Sequence, residues 1–195
     1  MPAVNDEPLT QVRAWLEEAR DSGLLGWDTA VVATATPDGR PSARAVLLSG
    51  FDERGFVFFT DTRSRKGREL AENARAALVM TWAPLERQVR AEGAVEPVAA
   101  EESDAYFAGR PRGHQLGAWV SRQSDVLRDR SDLEDRLVEV QREFEGRPVP
   151  RPPYWGGYRI VPEEIELWQG RPDRLHHRIR YRRSDVGWRA ELLWP

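Results

Sequence analysis

The feature that most constrains the fold is a run of three strand-like segments near the start of the chain, joined by short turns. Residues 28–36 and 42–50 are rich in Val, Thr, Ala and Leu, and residues 56–61 (FVFFTD) form the third segment. The turn at 37–39 reads Pro-Asp-Gly, in which proline presets φ and glycine accepts a positive φ. A second turn at 51–55 precedes the third segment. Strands at this spacing predict an antiparallel meander or barrel.

The rest of the chain continues this pattern and places helices in the connections. The periodicity of apolar residues and the flanking residues predict helices at 8–24, 64–74, 100–109 and 131–145, and strands at 76–82, 86–97, 157–169, 177–183 and 187–193. We therefore expect an α+β fold that is mainly β, a barrel of roughly six to eight strands with peripheral helices. It forms a single domain over residues 1–195, with residues 1–7 as a flexible N-terminus.

Local signals refine three of these segments. In the first helix Thr10 is a candidate N-cap and Gly23 a stop signal. Residues 110–125 lack a clear period, so no regular element is predicted there. The proline-rich residues 146–153 predict a stiff connector.

Composition and motifs exclude several function classes. The 195 residues contain 29 Lys and Arg against 32 Asp and Glu, and a net charge of −3 gives no general attraction to nucleic acid. No apolar run of about 18 residues predicts a membrane span, and the first 25 residues lack an apolar signal segment. Cysteine is absent, which excludes disulfides, thiolate metal sites and cysteine nucleophiles. Neither GxGxxG nor GxSxG occurs. These features favour a cytoplasmic protein.

The junction between the strand at 56–61 and the following helix carries a possible anion site. Thr60, Ser64, Arg65 and Lys66 bring hydroxyl and cationic donors to a helix start, where free backbone N–H groups are expected. Lys66 is the one lysine in a chain whose other basic residues, histidine apart, are arginine. The pattern suits a phosphate monoester. The alternative is an ordinary capped helix start in solvent.

Two neighbouring strands carry polar residues that are unusual for their surroundings. Alternation places Arg44 on the same face as Val46 and Leu48, where a cation needs a partner. It either binds an anion or lies at a strand end in water. Gln88 lies opposite the face of Val89, and its amide can hydrogen-bond a heteroaromatic edge or simply be exposed.

Two later segments add further candidates. Tyr106 and Arg110 are four residues apart and would share a helix face, which makes a phosphate clamp or an ordinary helix C-terminus. In an extended segment Arg174, His176 and Arg178 would project to one face and attract an anion. A metal site is not expected, because cysteine is absent and no carboxylates stand at ligand spacing.

Taken together and in this order, these segments resemble the pyridoxamine 5′-phosphate oxidase family. The resemblance covers about residues 8–195 and rests on RAVLL (44–48), GFVFFTDTRSRK (55–66), LERQV (85–89), YFAGRPR (106–112), QLGAWVSRQS (115–124), WGGYR (155–159) and IELWQGRPDRLHHR (165–178). It implies an FMN-binding split β-barrel of antiparallel, Greek-key type. It also implies a homodimer with FMN across the subunit interface, and an oxidase that uses dioxygen and releases hydrogen peroxide.

The resemblance also implies roles for individual residues. Those that would hold FMN are Arg44, Phe59, Thr60, Ser64, Arg65, Lys66, Gln88, Gln123, Ser124, Trp168 and Arg178. Those that would contact the substrate are Ser49, Tyr106, Arg110, His114, Arg174 and His176, of which Arg174 and His176 would be catalytic.

The sequence departs from the family at the substrate phosphate. Ser49 stands where the family usually has lysine, His114 stands where it has serine, and Phe59 stands where it has tyrosine. The family's basic, tyrosine-containing N-terminal arm is also expected to be missing. Serine in place of a charged lysine would weaken phosphate binding by about 1.5–3 kcal/mol. A protonated His114 would restore part of that.

Three functions follow from the resemblance and its departures. The first is oxidation of pyridoxamine or pyridoxine 5′-phosphate, which the retained Tyr106 and Arg110 favour. The second is oxidation of another flat ring substrate, as in the phenazine-biosynthesis branch, which Ser49 and the missing arm favour. The third is storage or sensing of FMN without catalysis, which the retained Arg174 and His176 argue against.

Overall fold

The computed structural model describes residues 7–195. Its elements, in chain order, are α1 (Pro8–Asp21), β1 (Thr29–Ala35), β2 (Pro41–Leu47), β3 (Gly50–Asp52), β4 (Gly55–Asp61), α2 (Arg65–Glu72), β5 (Arg75–Trp82), β6 (Arg87–Pro97), α3 (Ala100–Ala108), α4 (Arg112–Val120), α5 (Arg130–Glu143), β7 (Trp155–Gln169), β8 (His177–Ser184) and β9 (Gly187–Leu192). Short 3₁₀ turns lie at Ala83–Leu85 and Pro172–Arg174. The β-rich composition and the antiparallel pairing predicted above are confirmed.

All nine strands belong to one antiparallel sheet that branches at β7. The main order is β2-β1-β5-β6-β7-β4-β3, and β8 and β9 extend it from β7. The first half of β7 pairs with β4 and the second half with β8, while β6 runs along its other edge. A register shift between Glu92 and Gly93 bends this pair. At Gly93 any side chain would collide with the carbonyl oxygen of Val161, since a Cβ would lie 2.0 Å from it.

The interior contains two apolar clusters. The larger packs α1 against the sheet through Val12, Trp15, Leu16 and Ala19, the four residues whose spacing predicted that helix. The smaller lies beneath α3, α4 and α5 and contains Phe107, Leu116, Val140, Phe144, Val149 and Trp155. Trp155 begins β7, so the helical cluster is attached to the strand that pairs with β4. This attachment holds α3 and α4 beside the end of β4, where the candidate site lies.

Several boundaries differ from the prediction. The strand expected at 42–50 ends at Leu47, and Gly50–Asp52 forms a separate strand β3, so the sheet has nine strands rather than six to eight. The first helix begins at Pro8 with Glu7 as its N-cap residue, and Thr10 therefore lies inside it. The predicted flexible N-terminus lies outside the described residues, apart from Glu7.

Two further segments are corrected. Residues 112–120, for which no element was predicted, form α4, which begins after Pro111 and buries Leu116. The segment at 174–178 is not extended throughout, because Pro172–Arg174 form a 3₁₀ turn in which Asp173 and Arg174 have φ of 56° and 60°. Arg174 therefore does not continue the alternation of β8, and the expected common face of Arg174, His176 and Arg178 is wrong.

Candidate active site

A cleft of about 590 Å³ opens where β2, the end of β4 and the α3–α4 junction meet. Its walls are formed by Ala45, Val46, Leu47, Ser49, Phe59, Thr60, Lys66, Ala105, Tyr106, Gly109, Arg110, Pro111, His114, Gln123 and Trp155. Many of the residues singled out in the sequence are in this set. The cleft combines apolar side chains of β2 and aromatic rings with two separate cationic groups, Lys66 and Arg110.

Lys66 is a buried cation with only neutral hydrogen-bond partners. Its Nζ lies 2.9 Å from Thr60 Oγ1, 3.0 Å from Gln123 Oε1 and 3.3 Å from Ser64 Oγ. Burial lowers the pKa of Lys66 to about 8, and repulsion from Arg44 contributes, while Asp61 acts in the opposite direction. An ammonium that is removed from water without a bonded carboxylate is stabilised by an incoming anion.

The start of α2 is held in place by side chains. Ser64 caps the helix, since its Oγ accepts a hydrogen bond from Gly67 N–H, and Ser124 Oγ accepts one from Arg65 N–H at 3.0 Å. Thr60 donates to Gln123 Oε1 at 2.9 Å. The loop after α4 is therefore tied to this helix start through two predicted residues, Gln123 and Ser124. The expectation of free N–H groups at the junction is wrong for Arg65 and Gly67.

A buried glutamate organises the two arginines beside Lys66. Glu69 Oε1 accepts from Arg65 Nε at 2.8 Å, and Arg44 Nη2 lies 3.4 Å from Glu69 Oε2. Thr34 and Ser42 hydroxyls also donate to Oε2. Burial alone would raise the pKa of Glu69. The hydrogen bonds from Ser42, Thr34 and Arg65 have the larger effect together and lower its pKa to about 2. Glu69 is thus an ionised carboxylate in the interior.

The other cationic group of the cleft lies on a stack of aromatic rings. Phe59 lies parallel to Tyr106 at 4.1 Å between centroids and to Trp155 at 5.2 Å. The guanidinium of Arg110 lies 4.7 Å from the ring centroid of Trp155. Its Nη1 is buried and has no hydrogen-bond partner in the described chain, and burial lowers the pKa of Arg110 despite the opposing effect of Tyr106. Arg110 lies beyond the end of α3, so the predicted shared helix face is wrong, but Tyr106 and Arg110 both line the cleft.

All three residues that depart from the family line this cleft, and two of them, Ser49 and His114, are polar. The Ser49 N–H donates to the Val57 carbonyl at 2.8 Å, whereas its hydroxyl has only a long contact of 3.5 Å with the Leu47 carbonyl. His114 is exposed in the first turn of α4. Both side chains therefore present polar atoms that a ligand in the cleft can use.

The remaining predicted residues form a second group, outside the cleft. Gln88 on β6 is opposite Trp168 on β7, and the rings of Trp168 and His176 lie 4.6 Å apart. Arg178 makes a two-point ion pair with Glu166, at 2.8 and 3.1 Å, and donates to the Trp194 carbonyl. The exposed Arg174 precedes this group in the 3₁₀ turn. In the described chain these residues do not line the cleft that holds Lys66 and Arg110.

The donor set of the cleft fits a phosphorylated flat ring. Lys66 and the unpartnered Nη1 of Arg110 supply cationic donors, and Ala45, Val46 and Leu47 supply an apolar wall. Two contributors were missed in the sequence, Glu69 and Trp155. Glu69 resembles any helix-surface glutamate until the strands bring Thr34 and Ser42 to it. Fold and site together define a class: a split-barrel protein whose cleft suits a phosphorylated cofactor and a flat, anionic substrate.

Comparison with known proteins agrees with this class. Residues 16–143 match the family model described as pyridoxamine 5′-phosphate oxidase, and residues 155–195 match that of the pyridoxine 5′-phosphate oxidase C-terminal dimerisation region. The pyridoxine/pyridoxamine 5′-phosphate oxidase of Rubrobacter xylanophilus is 60% identical over 189 residues, covering 97% of this chain and 87% of that protein. The protein of that name from Salinibacter ruber is 54% identical, covering 98% and 91%.

A solved structure agrees as well. PhzG from Burkholderia lata, crystallised with tetrahydrophenazine-1-carboxylic acid, superposes with a TM-score of 0.93 at 36% identity, covering 100% of this chain and 97% of that one.

The chain belongs to the pyridoxamine 5′-phosphate oxidase family. The expected split-barrel fold, the FMN cofactor and the assignment as an FMN-dependent oxidase are thereby confirmed. The match to a dimerisation region agrees with the predicted homodimer. Across residues 7–195, no helix has the length and apolar character needed to cross a bilayer.

Proposed function

We propose that the protein oxidises pyridoxamine 5′-phosphate and pyridoxine 5′-phosphate to pyridoxal 5′-phosphate, with dioxygen as acceptor and hydrogen peroxide as product. The observation that carries this proposal is Arg110, a partly buried guanidinium whose Nη1 has no partner, beside Tyr106 in a cleft that also contains Lys66. Two anion sites in one cleft suit two phosphates, one on the cofactor and one on the substrate. A cytoplasmic location stays a prediction.

The residues around Lys66 would hold the phosphate end of FMN. Lys66 and Arg65 supply charge, and Thr60 and Ser64 supply hydroxyl groups already gathered around Lys66 Nζ. Gln123 and Ser124 fix the loop that closes this end. When bound, FMN supplies hydride acceptance and the transfer of electrons to dioxygen. The protein's part is to bind the phosphate, exclude water and orient the ring against the apolar wall of β2.

Tyr106 and Arg110 would grip the substrate phosphate, with Ser49 and His114 beside them. The phenol of Tyr106 lies on Phe59, whose ring lies in turn on Trp155, and a ring held by this stacking loses little further freedom on binding. Arg110 is already desolvated, so a phosphate bonded to it meets a donor that has no competing partner. A neutral Ser49 lowers the charge of this clamp, and His114 compensates when protonated.

We propose that the second group reaches the cleft of the partner subunit in a homodimer. Gln88, Trp168 and Arg178 would complete the FMN site there, and Arg174 and His176 would face the substrate. The Arg171 N–H donates to His176 Nδ1 at 3.2 Å, so a neutral His176 carries its proton on Nε2 and can donate it to a ring hydroxyl. The guanidinium of Arg174 would orient the reacting group and stabilise negative charge.

The outer surface of the sheet supports this dimer. Val31 and Leu47 lie on the outer face of β1 and β2 and are 45% and 59% exposed, in a row of small apolar residues. Leu47 also lines the cleft. Residues 155–195, which contain the second group except Gln88, are the part matched to a dimerisation region. Covering this face with a second copy would bury apolar surface at the edge of the site.

A second candidate is oxidation of a non-phosphorylated flat ring, as in phenazine biosynthesis. Its support is the neutral Ser49 in the clamp together with the close structural similarity to PhzG. In this case Arg110 would bind a carboxylate instead of a phosphate.

Oxygen uptake with matched substrates distinguishes the candidates. The purified protein should be yellow and should consume oxygen with pyridoxamine 5′-phosphate, whereas pyridoxamine without phosphate should react far more slowly. Turnover of a carboxylated tricyclic ring in preference to either phosphorylated vitamer would replace the first candidate by the second. Protein that binds FMN but oxidises none of these substrates would contradict both.

A further inference from the structure

Glu69 is the one carboxylate that contacts both arginines of the proposed FMN phosphate site within the described chain. It lies on α2 and is 4% exposed. Its two oxygens accept hydrogen bonds from four side chains on three elements, namely Thr34 on β1, Ser42 and Arg44 on β2, and Arg65 on α2. A carboxylate with four donors has a single preferred position, and it imposes a fixed position on the arginines it contacts.

Arg65 keeps donor groups for a ligand despite these contacts, whereas both Nη groups of Arg44 are committed inside the protein, so Arg44 contributes mainly its charge. Arg65 uses its Nε for Glu69, and in residues 7–195 its two Nη groups donate no hydrogen bond. Arg44 is anchored from both sides, since Nη1 also donates to Thr34 and to the Val32 carbonyl. Guanidinium groups held in this way lose little further entropy when an anion arrives.

The charges around Lys66 also match a phosphate monoester. Arg44, Arg65 and Lys66 contribute three positive charges and Glu69 one negative charge. The nearby Asp61 is paired with Arg63 at 2.9 Å and adds nothing to the balance. The net charge of about +2 equals in magnitude the −1.5 to −2 of a phosphate monoester at neutral pH.

We propose that Glu69 is a positioning residue for the cofactor: it holds Arg44 and Arg65 in the arrangement that selects the phosphate of FMN. This inference rests on the proposed role of Arg44, Arg65 and Lys66 at that phosphate. Glu69 itself does not touch the ligand, because a carboxylate next to the phosphate would repel it. Its effect should therefore appear in the preference for a phosphorylated over a non-phosphorylated flavin.

The test compares FMN with riboflavin, which has the same ring and no phosphate. Dissociation constants of both flavins are measured by flavin fluorescence on the full-length protein after removal of bound flavin. Glu69→Gln keeps the size of the side chain and removes the charge. We expect the FMN constant to rise roughly ten- to a hundredfold, because charge-assisted bonds to Arg65 and Arg44 are lost, with the riboflavin constant changed less than about threefold.

Two further variants make the result specific. Glu72→Gln removes the same charge from an exposed position on the same helix and should leave both constants unchanged. Glu69→Asp keeps the charge but shortens the reach, and it should reduce the preference for FMN several-fold. This variant decides the question alone if Glu69→Gln does not fold.

Three results would overturn the inference. Equal losses of FMN and riboflavin binding would mean that Glu69 only supports the fold. An unchanged or increased preference of Glu69→Gln for FMN would mean that Glu69 only lowers the positive charge of the phosphate site. A wild-type protein that does not prefer FMN to riboflavin would instead contradict the proposed phosphate site itself.

Discussion

Replacing Arg110 by Met should weaken substrate recognition without weakening the fold. A buried guanidinium nitrogen without a partner costs about 1–3 kcal/mol, and that cost disappears with the arginine. The contact with Trp155 is lost at the same time, and such cation–π contacts contribute about 0.5–2 kcal/mol. The two effects nearly cancel, or leave a small gain. At the midpoints of these ranges a gain of about 1 kcal/mol remains, so at about 2–4 °C per kcal/mol for a chain of this size the melting temperature should rise by about 2–4 °C.

Activity should change in the opposite direction. A charge-assisted hydrogen bond to phosphate contributes about 1.5–3 kcal/mol, so kcat/KM for pyridoxamine 5′-phosphate should fall roughly ten- to a hundredfold. Pyridoxamine without phosphate should be oxidised at an unchanged rate. The assay is oxygen uptake with both substrates on one preparation, with thermal unfolding measured in parallel.

Arg112 is the matched control, two residues further along the chain. It donates to the carbonyls of Phe144 and Arg147 and thereby holds the end of α5. Arg112→Met should therefore lower the melting temperature by roughly 3–10 °C and leave the ratio of the two substrates unchanged. The reasoning fails if Arg110→Met destabilises the protein as much as Arg112→Met does, or if it leaves the preference for the phosphorylated substrate intact.

Three other predictions concern charge. The pKa of Lys66 is lowered to about 8, and a bound phosphate favours its charged form. FMN affinity should therefore fall as pH rises above 8, by up to about tenfold per pH unit. Lys66→Met should remove this pH dependence in flavin fluorescence titrations. The pKa of Glu69 is depressed from 4.5 to about 2, so its contribution to stability is complete above pH 4.5 and is lost as pH falls towards 2. In Glu69→Gln the free energy of unfolding should therefore depend less on pH between 4.5 and 2, as measured by circular dichroism. Arg174→Ala should slow turnover by at least about a hundredfold and change the FMN dissociation constant less than threefold; the reverse pattern would assign Arg174 to the cofactor.

The strands could be predicted because their signals are local. The Pro-Asp-Gly turn and the alternation of Val89, Ala91, Gly93 and Val95 are both present in the structure. Helix α4 was not predicted because its helix propensity is low: two of its nine residues are glycine, and it starts after a proline. Packing of Leu116 into the helical cluster stabilises it instead. That contribution comes from Phe107, Phe144 and other residues far away in the sequence, and no local pattern contains it.

The candidate site was predictable to a similar degree. Residues whose chemistry is unusual for their position, such as Lys66 and Arg110, were found from the sequence, and both line the cleft. Glu69 was not found, because its partners Thr34 and Ser42 are 35 and 27 residues away and their pairing follows from strand register. The separation of Arg174 and His176 from the cleft was not foreseen either. Within one chain it follows from the path of β7, which carries its two ends to different parts of the sheet.

Apart from Arg44 and Arg65, which share Glu69, the type of partner separates structural cations from ligand-binding cations in this arginine-rich chain. Arg159 is 2% exposed and lies 2.6 Å from Asp52 and 3.3 Å from Glu102, so its charge is balanced inside the protein and binding a ligand would require breaking those pairs. Lys66 and Arg110 are also withdrawn from water, but their contacts are neutral side chains and aromatic rings. Their desolvation is balanced only when an anion arrives. By the same criterion Arg178, paired with Glu166, should contribute less to ligand affinity than Lys66.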